Sequence, residues 1–449
     1  MDVLPPQEIS RTTRWTDIPF APRRCPFFYG WAIVATSTLG VIASIPGQTM
    51  GVGVFTDDLI AALGLSRVQL STAYMIGTIG SSLLIPFAGR VQDRVGLRAM
   101  IVLSSLGLGM SMVMLSRSDE LVSLGGESFI VSFGVILVCF LLMRFFGQGC
   151  LTLASRVAIG KWFNHRRGLA AGISGVFVSF GFNASPLLLN HLVQSLGWRG
   201  AALTLAVAVG GGMSLIGLLF HRDNPEACGL VMDGIHDEQW QRRMASRVPE
   251  TRREFTPGEA VRTLPFWAFN LGLASQTLIV TAVVFHVVSI GEETGLDRTQ
   301  AYSVFLPMSV FGVASNFLGG WLSDRVRLKW LLGAMLFTQA MGTFGLSGFG
   351  HLWGRALLIA GYGVGGGLFA TLATVSWPRF FGRKHLGAIS GANMSIMVFA
   401  SAIGPVLFSA GQARSGGYHT VILASLLMPA ALLLVSLRAE NPQERARPS

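Results

Sequence analysis

Apolar residues along this chain neither alternate with polar ones nor keep to one helical face; they run on for long stretches, broken by short charged segments. A hydrocarbon layer of about 30 Å is crossed by ~20 helical residues. Twelve runs approach that length, at 28–52, 68–89, 98–116, 129–160, 167–192, 198–220, 265–290, 299–322, 329–349, 352–377, 385–410 and 417–437. Continuous runs predict helices, which satisfy their own backbone groups in lipid, and disfavour a barrel, whose strands alternate with period two. Pro46, Pro86, Pro186, Pro307 and Pro405 fall inside runs and read as bends. The pattern predicts an all-α membrane protein of twelve transmembrane helices in two six-helix halves. Residues 27–220 form the first half and 265–438 the second, joined by a polar segment at 221–264 and flanked by tails at 1–26 and 439–449.

Composition agrees with this reading. The chain is 51% hydrophobic and only 13% charged, against roughly 25% charge in soluble domains. A net charge of +11 raises the question of nucleic acid, but placement argues for a lipid bilayer instead. With the N-terminus in the cytoplasm, 26 of the 34 Lys and Arg fall on cytoplasmic segments, two within spans, and six outside (Arg67, Arg117, Arg199, Arg298, Arg355, Arg414). That asymmetry is the positive-inside rule, and it puts both tails and 221–264 in the cytoplasm of a cell's inner or plasma membrane. The first 26 residues hold Asp2, Glu8, Asp17 and five prolines, with no apolar core before a cleavage site, so no signal peptide is expected. Segment 221–264 reads as a linker, with a surface helix around Trp240 as the alternative.

Chemistry of other kinds finds no support. Cys25, Cys139, Cys150 and Cys228 are split between cytoplasmic segments and one span, which argues against a disulfide framework. No phosphate loop, H-E-x-x-H, clustered metal ligands or G-x-S-x-G elbow is present, so no catalytic residue, metal or cofactor is expected.

Scarce charges are instead spent twice on one pattern. GRVQDRVGLR (89–98) returns as GWLSDRVRLK (320–329), each after the second span of its half. The repeat pairs Gly89, Asp93, Arg94 and Arg98 with Gly320, Asp324, Arg325 and Lys329. WFNHRRGLAAGISG (162–175) is echoed by FFGRKHLGAISG (380–391), and FFGQG (145–149) by GVGGG (363–367). These echoes make an internal six-helix repeat, an arrangement found in transporters. Asp93 and Asp324 can accept charge-assisted bonds from arginines or from helix-end amides and so hold one face shut; fixing a loop is the alternative. Gly89, Asp93, Arg94, Arg98, Asp324 and Arg325 are therefore gating candidates.

With these motifs in both halves, the chain resembles the major facilitator superfamily over essentially its whole length. FFYGWAIVAT (27–36), GVFTDDL, LGLSRVQLS and KWFNHRRGLAAGIS (161–174) look like the branch of monocarboxylate transporters and oxalate/formate exchangers. The resemblance implies alternating access, a central cavity lined mainly by the first and fourth helices of each half, and a repeated motif that stabilises the outward-open state. It also implies an arginine with a nearby acid in the eighth span, where this chain has Asn316 and no acid, and in some members a first-span lysine that PGQTMGVGVF lacks. This departure speaks against a simple proton symport of the lactate type.

Polar groups inside spans are costly and mark function by default. Arg144 lies near the middle of the fourth span, and its repeat counterpart is Tyr362, so the fold's symmetry does not demand the charge. Binding a substrate carboxylate and bonding helix-end carbonyls both fit it. Arg156 lies nearer the cytoplasmic end and reads as snorkelling or pairing with a loop; its counterpart is Thr374. Gln48, Tyr74, Ser179, Asn183, Gln276, His286, Asn316, Tyr362 and Asn393 complete a candidate polar cavity, though each alone fits a helix-packing bond. All Asp and Glu fall in loops or span ends, and His286 is the nearest titratable group, so facilitated diffusion or anion exchange is favoured over proton symport. The expected protein is a transporter, expected to be monomeric, for a small organic anion such as a carboxylate. The alternatives are a transporter of neutral or amphipathic compounds and, more distantly, a sensor on the same fold.

Overall fold

The computed structural model describes residues 17–126, 128–234 and 253–445, and every regular element among them is a helix. The stretch around Trp240 lies outside the described residues. The helices follow the predicted spans except at 198–220, which is divided among the end of a helix running Arg167–Leu205, π turns at Ala206–Met213 and a short helix at Ser214–Phe220. They are α1 (Gly30–Ala43), α2 (Arg67–Val95), α3 (Leu97–Ser116), α4 (Phe129–Trp162), α5 (Arg167–Leu205), α6 (Ser214–Phe220), α7 (Leu264–Glu293), α8 (Gln300–Ser323), α9 (Leu328–Ser347), α10 (Leu352–Phe381), α11 (Leu386–Ser415) and α12 (Tyr418–Ser436). Nine helical stretches among the described residues are long and apolar enough by themselves to cross a membrane. The cysteines are all free.

Local chemistry explains where the helices begin and break. α2 opens with a capping box in which Ser66 Oγ accepts from the Gln69 amide at 3.2 Å and Gln69 Oε1 accepts from the Ser66 amide at 2.8 Å. The helical stretch of α8 is capped in the same way by Asp297 and Gln300. Gly64 and Gly295 hold positive φ just ahead of these caps, so GLSRVQ and GLDRTQ form one more copy of the repeat. The first span is not one helix. Pro46 offers no amide and Gly47 little restraint, so α1 ends, a tight turn covers Ile45–Gly47, and helix resumes at Thr49–Gly53. Opposite this break α4 widens into π turns over Arg144–Leu151, a form common at functional sites. Helix α5 reverses at Gly197, φ 70°, and leads through π turns at Ala206–Met213 into α6.

Two helix pairs carry most of the contact between α1–α6 and α7–α12: α2 with α11, and α5 with α8. Both rest on motif glycines. A Cβ at Gly89 would lie 2.2 Å from the Gly387 carbonyl oxygen, and one at Gly320 would lie 2.4 Å from that of Gly168. The motif's glycine is thus the condition for backbone contact across the halves. At the same end of the bundle, called the motif end below, Trp162, Phe163, Trp377, Phe380, Phe381 and Leu386 are buried where α4, α10 and α11 converge.

Candidate functional site

Three sequence candidates meet at the break in the first span. Arg144 is 1% exposed; its Nη1 donates to the Gly47 carbonyl at 3.2 Å, and its guanidinium lies 5.3 Å from the centre of the Tyr74 ring. Gln48 Nε2 donates to Ser44 Oγ at 3.0 Å and to Thr152 Oγ1 at 3.3 Å. The Tyr74 hydroxyl donates to Thr49 Oγ1 at 2.9 Å. A helix break in lipid leaves carbonyls without their amides, and a guanidinium offers five donors to them. Arg144 thus places one bond on the Gly47 carbonyl and its guanidinium by the Tyr74 face, while its Nε has no hydrogen-bond partner among the described residues. Gly147 fits against Gly47 with no room for a side chain on either, so the Ile45–Gly47 turn and α4 touch through backbone here.

Arg156 has different surroundings. It is half-buried in a cavity between α4, α10 and α11, together with Leu153, Val157, Thr374, Ser390, Asn393 and Met397. Among the described residues it makes no hydrogen bond or ion pair. Three turns of α4 separate it from Arg144, so it does not belong to the cluster at Gly47. Thr374, its repeat counterpart, faces the same cavity, which places the cavity where the two halves meet. The Asn393 amide nitrogen donates to Asn270 Oδ1 at 2.9 Å, which orients Asn393 from behind. The cavity thus offers one uncompensated cation, two hydroxyls, one amide and an apolar wall. A guanidinium so placed can pair with an anionic group.

The remaining candidates are dispersed. Gln276 is buried near Gly365, with Oε1 unpartnered among the described residues. Asn316 is wedged against Gly175 of the other half, its Oδ1 likewise unpartnered. Tyr362 shares a 3.0 Å bond with Thr343 between α9 and α10. His286 ties three helices of one half together through the Pro405 carbonyl at 3.0 Å, Ser409 Oγ at 3.2 Å and the Tyr418 hydroxyl at 3.0 Å. Ser179 is half-buried on α5; the side chain of Asn183, on the same helix, lies outside the described residues. Of the sequence candidates, only Asn393 lines the cavity that holds Arg156.

At the motif end the repeated carboxylates bridge the halves. Asp93 accepts from the Gly387 and Ala388 amides at the start of α11, both at 2.8 Å. Asp324 accepts from the Gly168 and Leu169 amides at the start of α5, at 3.0 and 3.2 Å. Exposed amides and the helix dipole both favour a carboxylate at these positions. Asp324 also pairs at 2.9 Å with Arg379, which is buried and bonds the Ser323 carbonyl as well. Arg379 escaped the sequence reading although a signal existed. It precedes Phe380-Phe381 as Lys161 precedes Trp162-Phe163, and Lys161 acts electrostatically on Asp93.

The motif's other basic residues face elsewhere. Arg94 is exposed. The Arg325 guanidinium stacks 3.9 Å from the Trp321 ring centre and donates to the Trp321 carbonyl at 2.9 Å. Arg98 bonds the Leu218 carbonyl and, at 2.9 Å, that of Ile18; with Arg222 it holds the segment around Ile18 and Phe20 against its own half.

This arrangement has relatives. The profile of the Major Facilitator Superfamily matches residues 37–405 and 267–449. The chain is 24% identical over 423 residues to the probable sulfoacetate transporter SauU of Cupriavidus necator, covering 87% of this chain and 92% of that protein. It is 27% identical over 191 residues to mouse monocarboxylate transporter 14, a match that takes in 41% of this chain but only 35% of that protein. In shape it is similar to the proton:xylose symporter XylE bound to 6-bromo-6-deoxy-D-glucose, with a TM-score of 0.67, 16% identity, and 93% and 98% of the two chains covered. The repeated carboxylates, the twelve spans and the profile match lead to one assignment: the chain belongs to the Major Facilitator Superfamily, as a membrane transporter and not an enzyme, and resembles its monocarboxylate transporter branch.

Proposed function

We propose that the protein carries a small organic anion, a carboxylate or sulfonate, across the membrane by alternating access, with Arg156 as the group that receives the anionic head. The observation that carries this reading is the uncompensated guanidinium of Arg156 in the cavity between the halves. A charge away from bulk water needs a counter-charge. Among the described residues no Asp or Glu lines that cavity, so the substrate is the natural partner. The named relatives, monocarboxylate and sulfoacetate transporters, agree with such a head group. Residues 27–220 and 265–438 would be the rocking halves, with Asp93 and Asp324 latching the motif end when the opposite end admits substrate. Without a carboxylate beside Arg156 to take up a proton, uniport or exchange is the expected mode.

Purified protein should be stabilised by acetate, propionate or sulfoacetate in a thermal-unfolding assay and left unmoved by the neutral amide of the same acid. Saturation a hundredfold above Kd corresponds to about 2.7 kcal/mol. Equal protection by propionate and propionamide would overturn the anion reading in favour of a neutral substrate.

The motif end is placed in the cytoplasm on the Lys and Arg asymmetry, and both tails with it. A membrane-impermeant maleimide applied to intact cells should therefore label Arg117→Cys and spare Arg325→Cys. The reverse pattern would invert the topology.

A further inference from the structure

The two ends of the central linker are each moulded to the motif end of their own half. On the first half, Asp233 accepts from the amides of Asn164 (3.2 Å), His165 (2.9 Å) and Arg166 (3.1 Å), in the loop before α5. On the second, Glu254 Oε2 accepts from the amides of Arg383 (2.7 Å) and Lys384 (2.8 Å), in the loop before α11. The carboxylates occupy equivalent places, since the two loops are repeat partners. Phe255 adds a 3.0 Å bond from its amide to the Phe381 carbonyl, and its ring lies edge-on to that of Phe381. The linker is therefore seated by main-chain bonds at both ends.

Among the described residues, one side chain joins the two seats. The Arg383 guanidinium turns to the first linker end, donating to Glu226 Oε1 at 2.8 Å and Oε2 at 3.0 Å and touching Met232 Sδ at 2.8 Å. Arg383 is thus held by both linker ends at once, its amide by Glu254 and its guanidinium by Glu226. We propose that the Arg383–Glu226 pair is a third clasp between the halves, separate from the repeated Asp93 and Asp324 latches, which makes the linker a conformational element of the transporter and not only a tether. Arg383 travels with α10 and α11, whereas the Glu226 segment travels with α4–α6 through Asp233 and the buried Cys228. Any motion that parts the motif ends of α4 and α10 must break the fork. The bond is two-pronged, the geometry in which arginine is not interchangeable with lysine.

Glu226 is half-exposed, so the clasp trims an equilibrium and does not lock it. Partly exposed pairs shift populations up to about fivefold, and salt screens them. The test uses the full chain in lipid nanodiscs without substrate, so it is independent of which substrate is carried. Spin labels at Val95→Cys and Val326→Cys, exposed positions at the motif end of either half, report the fraction of molecules open there. The half-exposed Cys25 is replaced by Ser and the buried cysteines are left in place. Glu226→Gln and Arg383→Gln should each raise the open fraction about two- to fivefold, and the double variant no further, because both remove one interaction. High salt should open the unsubstituted chain toward the same level, a readout that needs no change at either residue. An unchanged open fraction in either single variant, additive effects in the double, or no response to salt would overturn the clasp.

Discussion

Arg156→Gln is expected to reduce anion uptake by about a hundredfold or more while the protein still folds and inserts. Leaving a charge in a buried ionic contact unpaired costs 2–5 kcal/mol or more, and each 1.4 kcal/mol is about a factor of ten. Here the unpaired partner would be the substrate's own head group, so the loss should appear in Kd as well as in rate. Arg156→Lys should recover only a small part, because an ammonium on a shorter stem replaces a planar fork. Arg144→Gln serves as the contrast. Its bond to the Gly47 carbonyl and its place over Tyr74 predict a lower thermal midpoint with substrate affinity nearly intact. If Arg156→Gln binds propionate as tightly as the parent does, Arg156 is not the anchor and the anion reading loses its support.

Asp324→Asn is expected to open the motif end. Asp324 is 7% exposed, accepts two amides across the halves and is paired with the buried Arg379. Removing one partner from a buried pair costs about 3–5 kcal/mol because the other charge stays uncompensated, enough to shift a two-state equilibrium more than a hundredfold. The measurement is the rate at which an impermeant reagent, applied from the motif side, modifies Ser390→Cys behind the seal. It should rise steeply in the Asp324→Asn background and by less with Asp93→Asn, since Asp93 is more open to solvent. The change acts on the populations of states and not on contacts to the ligand. Unchanged modification together with lost uptake would show that Asp324 serves the transport site directly and not the latch.

Much of this molecule is decided by local sequence. A span in lipid must satisfy its backbone within itself, so twelve apolar runs suffice to place twelve helices without knowledge of their neighbours. The repeat is equally local: GRVQDRVGLR and GWLSDRVRLK announce two related halves, and the caps at Ser66 and Asp297 recur because each depends on residues three apart. Asp93 and Asp324 could be read as latches because a carboxylate at a helix edge has few other uses.

Only tertiary structure decided which charges are already spent. Arg144 and Arg156 share one helix and look alike in sequence, yet the Pro46-Gly47 break places a carbonyl in bonding reach of the first, whereas the second lines a cavity and makes no hydrogen bond among the described residues. Arg98 belongs to the motif but holds the segment at Ile18, while Arg379, outside it, completes the pair with Asp324. The partners in these contacts lie 55 to 97 residues apart in the chain. The energy of a charge is set by whatever lies within a few ångströms, and helix packing alone decides that.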